Sequence, residues 1–225
     1  MSSQGAPSRV KQDAAERAVE HVRSGMAVGL GTGSTAKFAV EAIGRRLKAG
    51  DLQNVVGVPT SVETRELATS LEIPLTTLGS HPVLDLTIDG ADEIDPDGNL
   101  IKGGGGALLW EKIVATASKQ LFIVADASKL VDRLGKEFPL PVEVVRFGWE
   151  VHDVALRRLG AEPVLRCNSD AVPYLTDEGH YIIDCKFENG IDDPAGMQQS
   201  LVSRPGIVET GLFLGMKPEV IIGRA

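Results

Sequence analysis

The chain is poor in cysteine, in aromatic residues and in basic charge. Only Cys167 and Cys185 occur among 225 residues, without CxxC spacing. That excludes a disulfide scaffold and a cysteine-based zinc site, and the two read as small reduced core residues. Aromatic residues make up 4%, too few for the stacking platform of a single-strand nucleic-acid binder. The formal net charge is −8, so the basic footprint of a DNA- or RNA-binding protein is missing. An anionic ligand would have to be attracted locally, by a few lysines and backbone amides. No apolar run approaches the roughly 18 residues of a membrane span. The N-terminal stretch carries Arg9, Lys11, Asp13, Glu16, Arg17 and Glu20 where a signal peptide would have an apolar core. The expectation is a soluble, cytoplasmic protein with neither nucleic acid nor membrane as partner. His21, His81, His152 and His180 share no ligand spacing and read as structural or surface residues.

What is present is a full complement of core residues, 43% hydrophobic, in an alternating order. Val10, Ala14, Ala18 and Val22 step by four and predict a first helix. Residues 26–30 predict a short buried strand, followed by Gly31-Thr32-Gly33-Ser34-Thr35. Ala36, Ala39, Val40, Ile43 and Leu47 form the apolar stripe of a second helix. Strands are predicted at 55–58, 84–88 and 121–125. A third helix begins with a capping box on Thr60 and Glu63, and a fourth covers 107–119. Alternating strands and helices imply an α/β fold, a Rossmann-like and mostly parallel sheet covered on both faces. Near Arg133 the texture changes. Strand 142–145, helix 149–159, strand 162–166, a hairpin of 174–176 with 181–183, and helix 194–202 resemble a ferredoxin-like α+β unit. The expected division is an α/β catalytic domain of residues 1–132 and 206–225. A lid or oligomerisation domain of residues 133–205 is inserted in it. Short apolar segments within 209–222 are expected to rejoin the first sheet.

The chemistry concentrates in a few places. The loop Gly31 to Thr35 lies between a strand and a helix, where unpaired amides and the helix dipole attract an anion. The hydroxyls of Thr32, Ser34 and Thr35 add donors, making a cradle for one phosphate. A dinucleotide fits less well, because Val58-Pro59-Thr60 stands where a ribose-binding acid would follow the second strand. Asp89-Gly90-Ala91-Asp92-Glu93-Ile94-Asp95 lies at the carboxyl end of a strand, where open α/β sheets bind ligands. Asp89, Asp92 and Asp95 recur every third residue, so a magnesium site is one alternative and a solvated acidic turn another. Asp95 and Asp97 flank Pro96 and read as turn residues. Lys102 precedes four glycines, Gly103 to Gly106, whose bare backbone lets a ligand come close. Glu111 has only apolar helical neighbours, namely Ala107, Leu108, Val114 and Ala115. Such a face desolvates a carboxylate and raises its pKa, which suits a general base. Lys129 follows Asp126-Ala127-Ser128 at another strand end, within reach of a phosphate, and Lys11 is a weaker candidate for the same role.

These segments, in this order and spacing, resemble the type A ribose-5-phosphate isomerase family over nearly the whole chain. The match is carried by Gly31 to Ala36, Asp89 to Ile94, Lys102 to Gly105 leading to Glu111-Lys112, and Asp126 to Lys129. Gly106 departs from it, since alanine is common there in relatives, and Leu109-Trp110 is less usual. The resemblance implies interconversion of ribose 5-phosphate and ribulose 5-phosphate in the non-oxidative pentose phosphate pathway. It implies no cofactor and no metal, and a homodimer or tetramer. Glu111 then matches the proton acceptor, with Asp89, Asp92 and Lys102 as further catalytic groups. Lys11, Thr32, Gly33, Ser34, Thr35, Asp89, Gly90, Ala91, Asp92, Lys102, Gly103, Gly104, Gly105 and Lys129 match substrate-binding positions. The expected course is ring opening assisted by Asp89 or Asp92, transfer by Glu111 through an enediolate, and charge stabilisation by Lys102 with nearby amides. The rivals are an amino-sugar-phosphate deaminase, which would use a histidine, a coenzyme A transferase, and a sugar-phosphate sensor attached to a DNA-binding domain. Here no histidine lies in a motif, and about 25 residues before the first strand leave little room for such a domain.

Overall fold

The structure, a computed structural model, describes residues 5–224; the ends of the expected first domain, residues 1–4 and 225, lie outside them. The chain divides into two compact units. The first comprises Met1–Ala91, Trp110–Lys129 and Met216–Ala225, the second Asp92–Leu109 and Leu130–Gly215. Beside the expected 133–205, the second unit also takes in 92–109, 130–132 and 206–215. The reason is strand pairing among β4 (Glu93–Ile94), β5 (Leu100–Ile101) and β11 (Leu212–Phe213), which form their own three-stranded antiparallel sheet.

In the first unit, β1 (Ala27–Leu30), β2 (Val56–Pro59), β3 (Leu86–Asp89), β6 (Leu121–Ala125) and β12 (Glu219–Ile222) form a five-stranded sheet. All its pairings are parallel, in the order β12-β6-β3-β1-β2. β1, β3 and β6 are buried along their whole length, as strands covered on both faces must be. Helices α1 (Gly5–Val19) and α2 (Ala36–Ala49) pack one face through Ala14, Ala18, Ala39, Val40 and Ile43. Val114 of α4 (Leu108–Thr116) packs with Ala27, Val58 and Leu84. Gly50 ends α2 in the left-handed conformation, φ 80°, its N–H bonding back to Arg46 and Leu47. The third helix, α3 (Val62–Ser70), is capped by Ser61, which accepts from the Thr64 N–H at 3.0 Å. The cap is therefore Ser61 and not Thr60, whose hydroxyl donates to Leu30 O instead.

The chain runs from β1 outward to β2 and then returns to the other side of β1 as β3. That reversal is a switch point, where loops leave the sheet in opposite directions and a crevice opens at the carboxyl ends. Gly31 and Asp89 stand on its two sides. Gly31 N–H donates to Ile88 O at 3.0 Å, and a Cβ on Gly31 would lie 2.5 Å from both Asp89 Cα and Ile88 O.

In the second unit, β7 (Leu140–Val144), α5 (His152–Arg158), β8 (Glu162–Leu165), β9 (Tyr181–Lys186), α6 (Pro194–Val202) and β10 (Ile207–Thr210) follow one another. The four strands pair antiparallel in the order β10-β7-β9-β8. That is the ferredoxin-like βαββαβ arrangement, so the expected fold class holds in both parts. Its core gathers Leu140, Val142, Val144, Leu156, Ile183, Cys185 and Leu201. Two local expectations fail. Residues 149–151 form a short 3₁₀ turn ahead of α5. Residues 174–176 are not a strand: Tyr174 N–H reaches Arg166 O, and Thr176 closes a turn with Gly179 and His180. Thr176 also donates to buried Glu143, so its side chain serves the interior.

Glu93, in the middle of the acidic motif, is a structural anchor. It is 1% exposed and accepts the N–H groups of Gly135, Glu137 and Phe138 at 2.5, 2.7 and 2.7 Å. Those three bonds tie the entry to β7 against β4.

Two stability predictions follow from this packing. Burial pushes the Glu143 carboxyl above its usual value of 4.5, against the pull of hydrogen bonds from His180 and Thr176. An unfolded chain ionises that group at the ordinary value. As pH rises from there through the folded value, the native state holds the extra proton and stability is lost. Glu143→Gln removes that titration. Its urea midpoint, measured relative to wild type, should therefore rise between pH 4.5 and pH 8; a difference that is flat with pH would refute the assignment. Gly31→Ala should cost about 1–3 kcal/mol through overpacking between β1 and β3, read as a lowered urea midpoint with an unchanged slope.

Candidate active site

The carboxyl ends of four adjacent strands bring the first unit's functional residues together. Asp89 closes β3 with 1% exposure. Its Oδ1 accepts the N–H of Thr32 at 3.1 Å and of Gly90 at 2.7 Å. Past Thr32 the chain turns at Gly33, φ 99°, and enters α2. The first helical hydrogen bond is Lys37 N–H to Gly33 O, 2.9 Å. Among the described residues, the amides of Gly33, Ser34, Thr35 and Ala36 make no hydrogen bond. Thr35 occupies the cap position without using its side chain as a cap. Four amides at the positive end of a helix form an anion cradle.

Thr32 differs from its expected part. Its hydroxyl is directed inward, 2.7 Å from the Thr60 hydroxyl, 2.8 Å from Ser61 Oγ and 3.0 Å from Thr64 Oγ1. Thr64 Oγ1 in turn donates to Gly31 O at 3.0 Å. This hydroxyl cluster fastens the β1–α2 loop to the β2–α3 loop, so Thr32 spends its hydroxyl inside the fold. The signal for it was legible as Thr60-Ser61-x-x-Thr64 at a strand end, but a capping box explained the same letters.

Lys11 Nζ donates to Ser34 Oγ at 2.9 Å, which brings α1 to the cradle. Lys129 ends a 3₁₀ turn, Ala127–Lys129, just past β6. Asp126 binds the Ser128 hydroxyl and its N–H. Its carboxyl is held below the usual range chiefly by that hydroxyl, against the opposing effect of burial, with lesser help from the Ser128 amide and the charges of Lys11 and Lys129. Lys11 thus meets the start of α2, and Lys129 stands just past the carboxyl end of β6.

Glu111 is 5% exposed and sits in the first turn of α4. Ala107, Leu108, Val114 and Ala115, its i±3 and i±4 neighbours in sequence, are all buried, as the spacing predicts. The helix begins at Leu108 and ends at Thr116, shorter than expected, so the carboxylate lies near the helix's positive end. Lys112 beside it is also buried, at 8%.

The second unit carries the other motif residues. Lys102 is 3% exposed, its N–H bonded to Gly211 O and its ammonium 5.5 Å from the Phe213 ring centroid. It is therefore not an ordinary surface lysine. Asp92 N–H bonds Ile101 O, and Asp92 Oδ2 accepts from Gly104 N–H at 2.8 Å. Asp95 serves its turn: Oδ1 accepts from the amides of Asp97 and Asn99, and Oδ2 from the Asn99 side chain. Gly98, φ 78°, completes that turn. Of the three regularly spaced aspartates, Asp95 is thus taken up by the turn of the β4–β5 hairpin. Among the described residues no three His, Cys, Asp or Glu side chains gather as metal ligands. The histidines lie elsewhere: His81 on Thr76, His180 on Glu143, His21 against Phe122, and His152 buried under Gly206. Arg166 and Tyr174, which bond to the glycine turn, were not foreseen, because nothing in their local sequence marks them.

Comparison with known proteins bears on the same segments. The model of the family "Ribose 5-phosphate isomerase A (phosphoriboisomerase A)" matches residues 56–225. A ribose-5-phosphate isomerase A of Roseiflexus castenholzii is 54% identical over 212 residues, covering 94% of this chain and 90% of the relative. One from Desulfatibacillum aliphaticivorans is 50% identical over 225 residues, 100% and 96% of the two chains. A solved D-ribose-5-phosphate isomerase in complex with phospho-erythronic acid superposes with TM-score 0.92 at 39% identity, covering 95% of this chain and 93% of that one. The ribose 5-phosphate isomerase of Plasmodium falciparum gives 0.90 at 40%, covering 93% and 91%. With a family match over most of its length and relatives above half identity, this chain belongs to the ribose 5-phosphate isomerase A family.

Proposed function

We propose that the chain interconverts D-ribose 5-phosphate and D-ribulose 5-phosphate through an enediolate. The observation that carries this reading is the pairing, within one unit, of a four-amide phosphate cradle met by Lys11 with a buried carboxylate at a helix start. The cradle holds the end of the sugar that does not react, and its binding energy positions the end that does. Asp89 or Asp92 exchanges a proton with the ring oxygen and opens the furanose. Glu111 takes the proton from C2, and the electron pair moves onto the C1 oxygen. Lys102 and an amide of the glycine turn stabilise that oxygen. The C2 hydroxyl proton passes to the C1 oxygen, and Glu111 returns its proton to C1, leaving a carbonyl at C2. Every atom is conserved, and no electron acceptor takes part. The pathway is then the non-oxidative pentose phosphate route. A cytoplasmic location and a homodimer or tetramer accompany this reading, on the family resemblance. No helix among the described residues is long and apolar enough to cross a membrane.

Ribose 5-phosphate added to the purified protein should yield ketopentose absorbance with EDTA present, and phospho-erythronic acid should inhibit competitively. Glu111→Gln should lower kcat by about 10²–10⁴, the ordinary worth of a general base, with KM little changed. Near-normal turnover would remove Glu111 from the role. Lys129→Ala should raise KM for ribose 5-phosphate about tenfold, roughly 1.4 kcal/mol, with a smaller change in kcat. An unchanged KM would exclude Lys129 from the phosphate site.

A further inference from the structure

The glycine turn is gripped by its carbonyl oxygens. Arg166, one residue past β8, donates through Nη1 to Gly103 O at 2.8 Å and to Gly104 O at 3.2 Å. Its Nε and Nη2 engage the Asp184 carboxylate of β9 at 2.9 and 2.5 Å. The two-pronged pair locks the guanidinium plane. Tyr174 Oη donates to Gly105 O at 3.2 Å, and its ring lies 5.9 Å from the Arg166 guanidinium carbon. Gly106 leaves the space that this tyrosine occupies: a Cβ there would lie 2.6 Å from Tyr174 Cε1 and Cζ. Three successive carbonyls are thus fixed by two side chains from the ferredoxin-like part of the same unit. An arginine serving only the Arg166–Asp184 pair would have no need of the glycines.

Peptide geometry gives the grip a consequence. In a trans peptide the C=O and the N–H of the next residue point in opposite directions, and no described peptide is cis. Turning Gly103 O and Gly104 O toward Arg166 turns the amides of Gly104 and Gly105 away from it. The Gly104 amide meets Asp92 Oδ2. The Gly105 amide has no hydrogen-bond partner among the described residues, and the residue is exposed. A cation on the carbonyl of a peptide also polarises its N–H and makes it a better donor.

We propose that Arg166, braced by Asp184 and Tyr174, is a positioning residue for the isomerisation. It sets the plane of the Gly104–Gly105 peptide so that the Gly105 amide donates to the enediolate oxygen. This rests on the isomerase reading above. Arg166 touches no reacting atom; it acts through the glycine turn, and its influence falls on the charged intermediate more than on the bound substrate.

The test compares wild type, Arg166→Ala, Arg166→Lys and Tyr174→Phe with ribose 5-phosphate, and measures the inhibition constant of phospho-erythronic acid. Arg166→Ala should lower kcat about 10–100-fold, less than the 10²–10³ lost with an oxyanion donor itself, while KM stays within about twofold. The affinity for phospho-erythronic acid should fall more than KM rises. Guanidinium ion at tens of millimolar should restore kcat at least about threefold, and an equal concentration of sodium chloride should not. Arg166→Lys keeps the charge but not the fork, and should lie between alanine and wild type. Tyr174→Phe removes one hydroxyl and should lower kcat about threefold at constant KM; it decides the matter should Arg166→Ala fail to fold. Wild-type kcat in Arg166→Ala overturns the proposal. So does a loss in which KM rises in step with the fall in kcat and guanidinium restores nothing, because that pattern marks a merely structural arginine. A wild-type protein that leaves ribose 5-phosphate unchanged sinks the isomerase reading itself. Normal wild-type turnover, with Glu111→Gln inactive and Arg166→Ala fully active, sinks only this inference.

Discussion

Asp89 Oδ1 accepts two backbone N–H groups, one from Thr32 at the end of β1 and one from its own neighbour Gly90, and the rest of the first unit's functional edge depends on that one oxygen. It fixes where the β1–α2 loop leaves the sheet. The loop can approach β3 so closely only because Gly31 carries no side chain. Once its first residues are held, the loop turns at Gly33 and presents four amides at the start of α2. Parallel sheets do not supply this automatically. Adjacent strands stand about 4.8 Å apart, and their loops diverge at a switch point unless something bridges them. Here a carboxylate bridges them from one side, while the hydroxyls of Thr60, Ser61 and Thr64 hold Thr32 from the other.

The two units use glycine differently. In the first, Gly31 permits a close approach of backbone to backbone, and Gly33 supplies a positive φ. In the second, the consecutive glycines expose carbonyls to side chains of the ferredoxin-like sheet and its connections. Arg166 and Tyr174 take three of those carbonyls. A turn of four glycines costs more backbone entropy than any other sequence of that length, so leaving it unrestrained would disperse its donors. Side chains from distant strands remove that freedom. A motif that looks purely local in the sequence therefore depends on residues some sixty positions away.

Much of the architecture was legible beforehand, for identifiable reasons. The buried strands β1 and β6 and the amphipathic α2 stood out because core-facing residues impose a period on the chain. Glu111 was found by the same logic, as a charged residue whose i±3 and i±4 neighbours are all apolar, and the structure buries it. The misses share one cause. Asp95 read both as a turn residue and as a possible metal ligand beside Asp89 and Asp92, and only the bonds within the hairpin of β4 and β5 decide for the turn. Glu93 went unremarked among its acidic neighbours, although it holds three amides of the segment leading to β7. Periodicity tells which way a side chain faces within its own element. It is silent on which distant backbone groups wait there. Two-residue strands such as β4, β5 and β11 escape it altogether, because they have no period to detect.

The charge pattern also yields to physical reasoning. A protein of net charge −8 repels anions at long range, so affinity for a phosphate must come from short-range donors. Amides at a helix start suit that requirement, because they attract without adding net charge. Lys11 brings a full charge to the same helix start, its ammonium 2.9 Å from the Ser34 hydroxyl. That charge is screened beyond about a Debye length, so it too acts only on an anion already close by.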